Sequence, residues 1–291
     1  SVAVPINRDC REKWSLSLFF KMRKRRIVSF PLLIFSLIAL GISSGFVLRI
    51  QEAEAAHTFD TSYQGARANT NPYTFNYTCG DGTTLFVLSI VVGGSTDRTG
   101  GAPTYNGIAL TQADQNRKAP SSPETVVELW YLLNPPTGST YQVSIPNAGA
   151  LYLSPVASSY IAATGYTTAL RTANGNGNTS TNPTGPTLTG LAVGDVIVAV
   201  VGSGATTWSP TGRTGIQLYD RDDGTYGNGA QYLVKTDTND TAMAWTFGTS
   251  DDWAIVEAAF KEELPSITIT SSTNQPSSVL VGNTDIVMGS V

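Results

Sequence analysis

Residues 84–92, TLFVLSIVV, decide the fold, because they form a nearly continuous apolar run with no helical period. Residues 125–133 (TVVELWYLL) and 195–202 (DVIVAVVG) have the same character. β-branched and aromatic residues dominate all three runs, which is typical of strands. Runs of this length predict central strands, buried on both faces or packed beneath a neighbouring loop.

Outward from these runs, the apolar residues alternate with polar ones over most of the chain after residue 56. The further candidate strands are 73–78, 104–112, 140–145, 155–162, 187–191, 215–219, 230–235, 241–247 and 253–261. Turn signals such as Asp81-Gly82 and Asn106-Gly107 separate them. This pattern predicts an all-β domain over residues 57–263, a two-sheet antiparallel β-sandwich of jelly-roll type.

Two segments interrupt the pattern. Residues 114–123 (DQNRKAPSSP) and 171–186 (RTANGNGNTSTNPTGP) are polar and contain no residue suited to a core. Their composition predicts long surface loops, and loops of this length are often mobile or functional.

The N-terminal region predicts export. A basic cluster, Arg23 to Arg26, precedes residues 27–48, which carry no charge and are long enough to span a bilayer. Ala53 and Ala55 then form a small-x-small pattern, so cleavage after Ala55 is favoured and an uncleaved membrane anchor is the alternative. Residues 22–56 are therefore interpreted as a signal peptide or anchor helix. Residues 1–21 are interpreted as an unstructured upstream extension, because Met22 opens a well-formed signal.

The C-terminal residues 264–291 begin with a short linker at Leu264-Pro265 and continue with two candidate strands. A lone hairpin is marginally stable in water. We therefore interpret this segment as the start of an immunoglobulin-like β domain cut short, and expect the parent protein to be longer.

Charge and cysteine content narrow the class of protein. The chain has 18 Lys and Arg and 22 Asp and Glu residues, of which residues 1–56 hold nine and four, leaving nine and 18 for the rest. The exported part is thus acidic, which argues against nucleic acid as a partner. It contains one cysteine, Cys79, so an intrachain disulfide is excluded there.

Catalytic motifs are scarce. His57 is the only histidine, which argues against a Ser–His–Asp triad and a histidine-based zinc site. Glu128 and Glu257, each inside an apolar strand, are weak candidates for a glycosidase pair. A position on the solvent face, or pairing with an arginine, is the favoured interpretation of both. If they face opposite sides of the sandwich, a glycosidase is excluded.

Two sets of residues are candidates for ligand binding. Asp220, Asp222 and Asp223 crowd one turn and suggest a weak Ca²⁺ site, although a solvated hairpin is favoured. Trp208 and Tyr226 lie in turn-rich polar stretches, where they are candidates for stacking on sugar rings. Asn228 would then supply hydrogen bonds to hydroxyl groups. By contrast, the strand residues Trp130, Trp245 and Trp253 are predicted to lie in the core.

Four stretches carry a family resemblance: TYNGIALTQ, VELWYLLNPPTGSTYQVSI, LTGLAVGDVIVAVV and DDWAIVEAAF. Over residues 58–262 they resemble an exported jelly-roll or concanavalin-like β-sandwich module of large surface proteins from environmental bacteria, including candidate-phylum organisms. The resemblance implies a fold and a location but transfers no active site.

Three functions follow as hypotheses. The leading one is a non-enzymatic extracellular β-sandwich module of a secreted or cell-surface bacterial protein, with a structural or adhesive role. The first alternative is a carbohydrate-binding module, and the second is a glycoside hydrolase. Expected partners are extracellular glycans or cell-surface proteins, with membrane contact only through residues 27–48 if the signal is uncleaved. No cofactor is expected apart from the weak Ca²⁺ site.

Overall fold

The computed structural model describes residues 56–93, 98, 100–118, 125–150, 152–163, 165–204, 210–222, 226–263, 278–281 and 284–287. All belong to one compact unit, residues 54–291. Within these ranges the chain is all-β and contains no helix, as the periodicity predicts. No helix that could span a membrane occurs there either, and the predicted span 27–48 lies outside them.

The strands are numbered in chain order. They are β1 (Thr58–Gln64), β2 (Tyr73–Thr78), β3 (Leu85–Gly93), β4 (Thr104–Tyr105), β5 (Ile108–Ala109), β6 (Thr111–Lys118), β7 (Thr125–Leu133), β8 (Thr140–Ile145), β9 (Tyr152–Ile161), β10 (Thr167–Ser180), β11 (Val196–Ser203), β12 (Gly212–Arg213), β13 (Ile216–Asp222), β14 (Gly227–Val234), β15 (Trp245–Thr246), β16 (Asp251–Glu263), β17 (Ser278–Val281) and β18 (Thr284–Val287).

Three antiparallel sheets build the body of the domain. The front sheet has the order β2-β8-β4-β5, the middle sheet β1-β9-β3-β7-β6, and the back sheet β10-β16-β11-β14-β13. The short pair β12-β15 and the hairpin β17-β18 are separate. The hairpin lies within the segment where the sequence predicts the start of a second β domain.

The middle sheet is buried on both faces, which explains its continuous apolar strands. On β3, Phe86 and Leu88 belong to the cluster shared with the front sheet. Their neighbours Leu85 and Val87 belong to the cluster shared with the back sheet. The prediction of central strands buried on both faces is confirmed for β3.

The back sheet is likewise buried on both faces, although its outer side is covered by irregular chain and by β15 of the short pair β12-β15 rather than by another large sheet. Val198 on β11 faces the middle sheet, whereas Ile197 joins an outer cluster with Met243 and Trp245. Two segments cover this outer side, residues 181–191 and 241–247, which we call the back cover. The sequence predicts strands at 187–191 and 241–247, but only β15 forms there, because most of the back cover pairs through isolated bridges.

The two predicted loops are wrong in large part. Residues 111–118 form β6 and residues 167–180 form β10, the edge strands of the middle and back sheets. These edges cross closely: a Cβ at Gly175 would lie 2.7 Å from Cβ of Asn116. Glycine on the inward face of β10 thus reflects a close backbone approach, while the asparagines at 174, 176 and 178 point outward and are exposed.

The strands of the middle and back sheets begin and finish at the same two ends of the domain, which we call the base and the distal end. β1 begins and β16 ends at the base, where Thr58 pairs with Ile161 and Thr167 pairs with Glu263. At the opposite, distal end, Gly93 pairs with Tyr152 and Ser203 pairs with Gly227.

Candidate functional site

Glu128 lies on the front face of the middle sheet and is 2 % exposed. Its Oε2 accepts hydrogen bonds from Arg98 Nη2 at 2.7 Å and from Trp130 Nε1 at 2.7 Å. Arg98 also donates to the carbonyl oxygens of Gly101 and Pro146. Pairing with an arginine, one of the two favoured interpretations of Glu128, is therefore correct. Through Arg98, the carboxylate links the middle sheet to the front sheet.

Glu257 lies on the outer face of the back sheet and is completely buried. Its Oε2 accepts a hydrogen bond from the Met243 amide at 2.9 Å, whereas Oε1 has no partner among the described residues. Burial raises the pKa of Glu257 to about 8, and the hydrogen bond from Met243 opposes that rise to a smaller extent. Neither favoured interpretation, solvent exposure or an arginine partner, describes this residue.

The two carboxylates face away from each other. Glu128 points from the middle sheet toward the front sheet, and Glu257 points from the back sheet toward the back cover. The middle and back sheets stand between them, and packed sheets are about 10 Å apart. Glycosidase carboxylates lie within about 5–10 Å of each other in one cleft. This pair therefore cannot flank one glycosidic bond.

Tyr226 lies at the distal end and packs against Tyr152, with ring centroids 4.5 Å apart. The guanidinium carbon of Arg67 stands 3.6 Å from the Tyr152 centroid and 5.1 Å from that of Tyr226. A Cβ at Gly93 would overlap the Tyr152 ring, so only glycine fits beside it. Tyr226 is 7 % exposed and does not offer the open ring face that sugar stacking needs. Tyr219 on the neighbouring strand β13 is buried as well.

Asn228 lies on β14 beside Gly202 and points between the middle and back sheets. Thr125 approaches the same glycine from the middle sheet, since a Cβ there would meet its Cγ2 at 2.5 Å. Both side chains are buried, and Asn228 Oδ1 and Thr125 Oγ1 have no hydrogen-bond partner within the described ranges. Asn228 therefore belongs to the interior of the distal end rather than to its surface.

Trp208 lies outside the described residues, on the segment that follows the distal end of β11. By chain connectivity, this segment and the turn that holds Tyr226 leave from the same end of the domain. The prediction that Trp208 stacks on a ligand thus stays a prediction. The other tryptophans considered, Trp130, Trp245 and Trp253, are buried as predicted.

The aspartate cluster is only partly described. Asp220 on β13 forms an ion pair with Arg213. Burial raises the pKa of Asp220 to about 6, although the charge of Arg213 and its hydrogen bond lower it. Asp222 ends β13, and Asp223 lies outside the described residues. Across the part of the chain that the structure describes, no group of three acidic, His or Cys side chains could hold a metal ion.

A network at the base was missed by sequence reasoning. His57 Nδ1 donates to the Gly194 carbonyl oxygen at 3.0 Å, so Nε2 is left to accept from the Thr168 hydroxyl at 3.2 Å. Glu262 Oε1 lies 3.8 Å from Nδ1. Burial lowers the pKa of His57, while the hydrogen bond to Gly194 and the charge of Asp195 act in the opposite direction. The only histidine is thus a neutral structural residue that ties the start of β1 to β10 and to the turn before β11.

Arg98 and Arg67 were also missed, because each comes from an irregular segment whose composition carries no periodic signal. A buried carboxylate in an apolar strand was the available clue to Arg98, since such a group calls for a cation. The side-chain clusters around Glu128, Glu257, Tyr226 and His57 are described from the structure of this chain. No protein-family model, curated protein or solved structure matches it.

Proposed function

We propose that the domain over residues 57–263 is a non-enzymatic β-sandwich module, of jelly-roll type, in a protein exported by a bacterium. Its role is structural or adhesive, in a secreted or cell-surface setting. The basic and apolar order of residues 23–48 and the acidic composition after residue 56 support export. The resemblance to modules of large bacterial surface proteins supports the same setting.

One observation carries the proposal: the start and end of the domain lie together at the base. His57 contacts Gly194 and lies near Glu262, so β1 enters where β16 leaves. In a module connected in this way, the distal end is the one farther from both points where the chain enters and leaves. The distal end, from which the segments containing Trp208 and Tyr226 leave, is the surface such a module would present to a partner.

The positions of the acidic residues support a role without catalysis. Glu128 is bonded to Arg98 and Trp130, and Glu257 is enclosed under the back cover. The two carboxylates face opposite sides of the paired middle and back sheets. We therefore do not carry the glycoside hydrolase hypothesis further.

Carbohydrate binding is the second candidate, because two predicted ligand residues, Tyr226 and Asn228, lie at the distal end, where the chain leaves β11 toward Trp208. Ser203 pairs with Gly227 and Gly202 with Asn228, which brings the start of the Trp208 segment next to the Tyr226 turn. With Tyr226 and Asn228 buried, Trp208 is the residue on which this candidate depends. Stacking on one ring adds about 1 kcal/mol beyond the buried area, so one module would bind weakly and repeated modules would be needed for avidity.

Export is tested by fusing alkaline phosphatase to the C-terminus of the chain, since its disulfides form only outside the cytoplasm. We expect an active fusion, and we expect deletion of residues 27–48 to abolish activity. Protease treatment of intact cells should then release the domain from the surface. Equal activity of both fusions would contradict export.

Binding is tested by titrating soluble polysaccharides into the purified chain and into Trp208→Ala, with Asn239→Ala as a matched control. Asn239 is exposed in the loop that follows the base end of β14, far from the distal end. Loss of binding in Trp208→Ala alone would establish the carbohydrate-binding candidate. Absence of binding by all three proteins would leave the structural and adhesive role, and equal binding would remove Trp208 from the site.

A further inference from the structure

The back cover is held together by hydrogen bonds between its own two segments. Gly185 N donates to Met243 O at 2.9 Å, Trp245 N to Pro183 O at 2.9 Å, and Phe247 N to Thr181 O. Leu188 and Thr241 exchange two such bonds. Because these bonds lie within the back cover, they do not attach it to the back sheet.

Its attachment to the back sheet uses a few side chains that rise from the strands. Glu257 on β16 accepts from the Met243 amide, and Gln231 on β14 donates to the Ala244 carbonyl oxygen at 3.1 Å. Asn176 on β10 donates to the Thr184 carbonyl oxygen at 3.2 Å. Apolar contacts of the outer cluster, including Met243 and Trp245, complete the attachment.

Glu257 is the acidic group among these anchors. The ammonium group of Lys235, directly after β14, also donates to Thr241 Oγ1 of the back cover. The register partners of Glu257 on the neighbouring strands are Ala199 on β11 and Asn174 on β10. Gly185 and Met243 of the back cover lie over its carboxyl group. None of these residues is titratable, and no charged side chain acts on its pKa. A Cβ at Gly185 would stand 2.5 Å from Glu257 Oε1, so the backbone of the back cover closes directly over the carboxyl group.

We propose that Glu257 is a proton-dependent latch, which docks the 185 and 243 positions of the back cover on the back sheet when protonated and releases them when ionised. A neutral carboxyl group can stay in this apolar enclosure and still accept the Met243 hydrogen bond. Within the described part of the chain, a carboxylate there would have no cation beside it and one oxygen without a hydrogen bond, so it is stabilised by reaching water. Opening is local, because Gln231, Asn176 and the outer cluster continue to hold the rest of the back cover.

The pH range follows from the two states. The pKa is about 8 in the closed state and near the ordinary value of 4.5 once the carboxyl group meets water. Opening therefore becomes about tenfold more favourable for each pH unit between these values. The latch is tightest in acid and weakens through neutral pH, which makes the exposed outer side of the domain responsive to its surroundings.

Amide hydrogen exchange of the full chain tests this latch. We expect the protection of Met243 and Gly185, corrected for intrinsic exchange rates, to fall about tenfold per pH unit from about pH 5.5 to about pH 7.5. Protection in β11 should stay higher than that of Met243 and Gly185 at every pH, because a central strand exchanges only through global unfolding. In Glu257→Gln, a near-isosteric neutral side chain, protection at Met243 and Gly185 should not vary with pH.

Two further measurements keep the test decisive. Gln231→Met removes a neutral anchor and should lower protection at Gly215, whose amide donates to Gln231 Oε1, by the same factor at every pH. If Glu257→Gln does not fold, the carbon-13 shift of the Glu257 carboxyl group in the unmodified chain should show an ionisation midpoint well above 4.5, at the upper end of the pH range over which Met243 protection falls. Protection at Met243 that is independent of pH, or that keeps the same slope in Glu257→Gln, would overturn the latch.

Discussion

Arg98 and Glu128 form a buried ion pair, with Nη2 of the arginine 2.7 Å from Oε2 of the glutamate and both side chains 3 % exposed. Trp130 adds an indole N–H to the same oxygen, and the Arg98 guanidinium carbon lies 5.5 Å from the Trp130 ring centroid. Arg98 comes from the segment after β3, and Pro146, whose carbonyl oxygen it also binds, follows β8 of the front sheet. The pair therefore fastens the middle sheet to the front layer.

Replacing Arg98 by methionine should destabilise the domain strongly, because Glu128 would be left buried without its cation, and the Gly101 and Pro146 carbonyl oxygens would lose a donor. Breaking a buried pair in this way costs about 3–5 kcal/mol. Urea denaturation gives the change in the free energy of unfolding. The double variant Arg98→Met with Glu128→Gln should recover part of the loss, since the uncompensated charge is gone.

The exposed pair formed by Lys261 and Glu263 is the matched control for this prediction. Replacing Lys261 by alanine should change the unfolding free energy by less than about 1 kcal/mol, because water already solvates both charges. An equal effect of the two single variants would show that Arg98 contributes no more than a surface pair.

Gly175 provides a test of the crossing between β6 and β10. A Cβ at this position would lie 2.7 Å from Asn116 Cβ and 3.0 Å from the Ile255 carbonyl oxygen. Gly175→Ala should therefore cost about 1–3 kcal/mol through overpacking. At Gly212 the nearest atom, Thr246 Oγ1, is 3.6 Å away, so Gly212→Ala should be neutral or slightly stabilising. Thermal unfolding of both variants distinguishes the sites, and equal melting temperatures would contradict a tight crossing.

The crossing between β6 and β10 is also the part of the fold that the sequence pattern did not predict. Continuous apolar runs predicted β3, β7 and β11, because burial on both faces removes polar residues from both faces of a strand. β10 escaped prediction because its inward positions at 175 and 177 carry glycine, and its outward positions carry exposed asparagine. A strand whose inward face meets another backbone has no apolar signature, so composition alone made it resemble a loop.

For the candidate site residues, the sequence indicated the residue types but not their surroundings. The residue types were informative, since Glu128 and Glu257 both proved to be unusual buried groups. Their environments were not predictable, because the partners Arg98 and Met243 come from irregular segments outside the strands that carry the two glutamates. Burial of Tyr226 was missed for a related reason: a turn-rich stretch predicts exposure, while Arg67 and Tyr152 enclose the ring from elsewhere in the chain.

Cys79 should be chemically inert in the folded domain. It is completely buried, and burial raises the pKa of its thiol to about 11, so the thiolate fraction near pH 8 is only about one in a thousand. In a Cys10→Ser chain, a thiol-specific reagent should label no cysteine under native conditions and one after denaturation in guanidinium. Rapid native labelling would show that the front cluster around Cys79 opens readily.

Glu257 should make the stability of the domain depend on pH, and its sign follows from proton binding. Between pH 4.5 and about 8 the folded state keeps the proton on Glu257, while the unfolded state has released it. The unfolded state then binds fewer protons, so the free energy of unfolding falls as pH rises through this range, by about 1.4 kcal/mol per unit.

Glu257→Gln should remove this contribution while keeping the size and shape of the side chain. Other buried groups, including His57 and Asp220, also titrate, so the informative quantity is the difference between the variant and the unmodified chain at each pH. Near pH 5 the two proteins should be almost equally stable, and toward pH 8 the variant should become more stable by up to about 5 kcal/mol. Urea denaturation at several pH values measures the difference. A difference that stays constant across the range would mean that the folded chain already ionises Glu257 at its ordinary pKa, through water or a cation that reaches the carboxyl group.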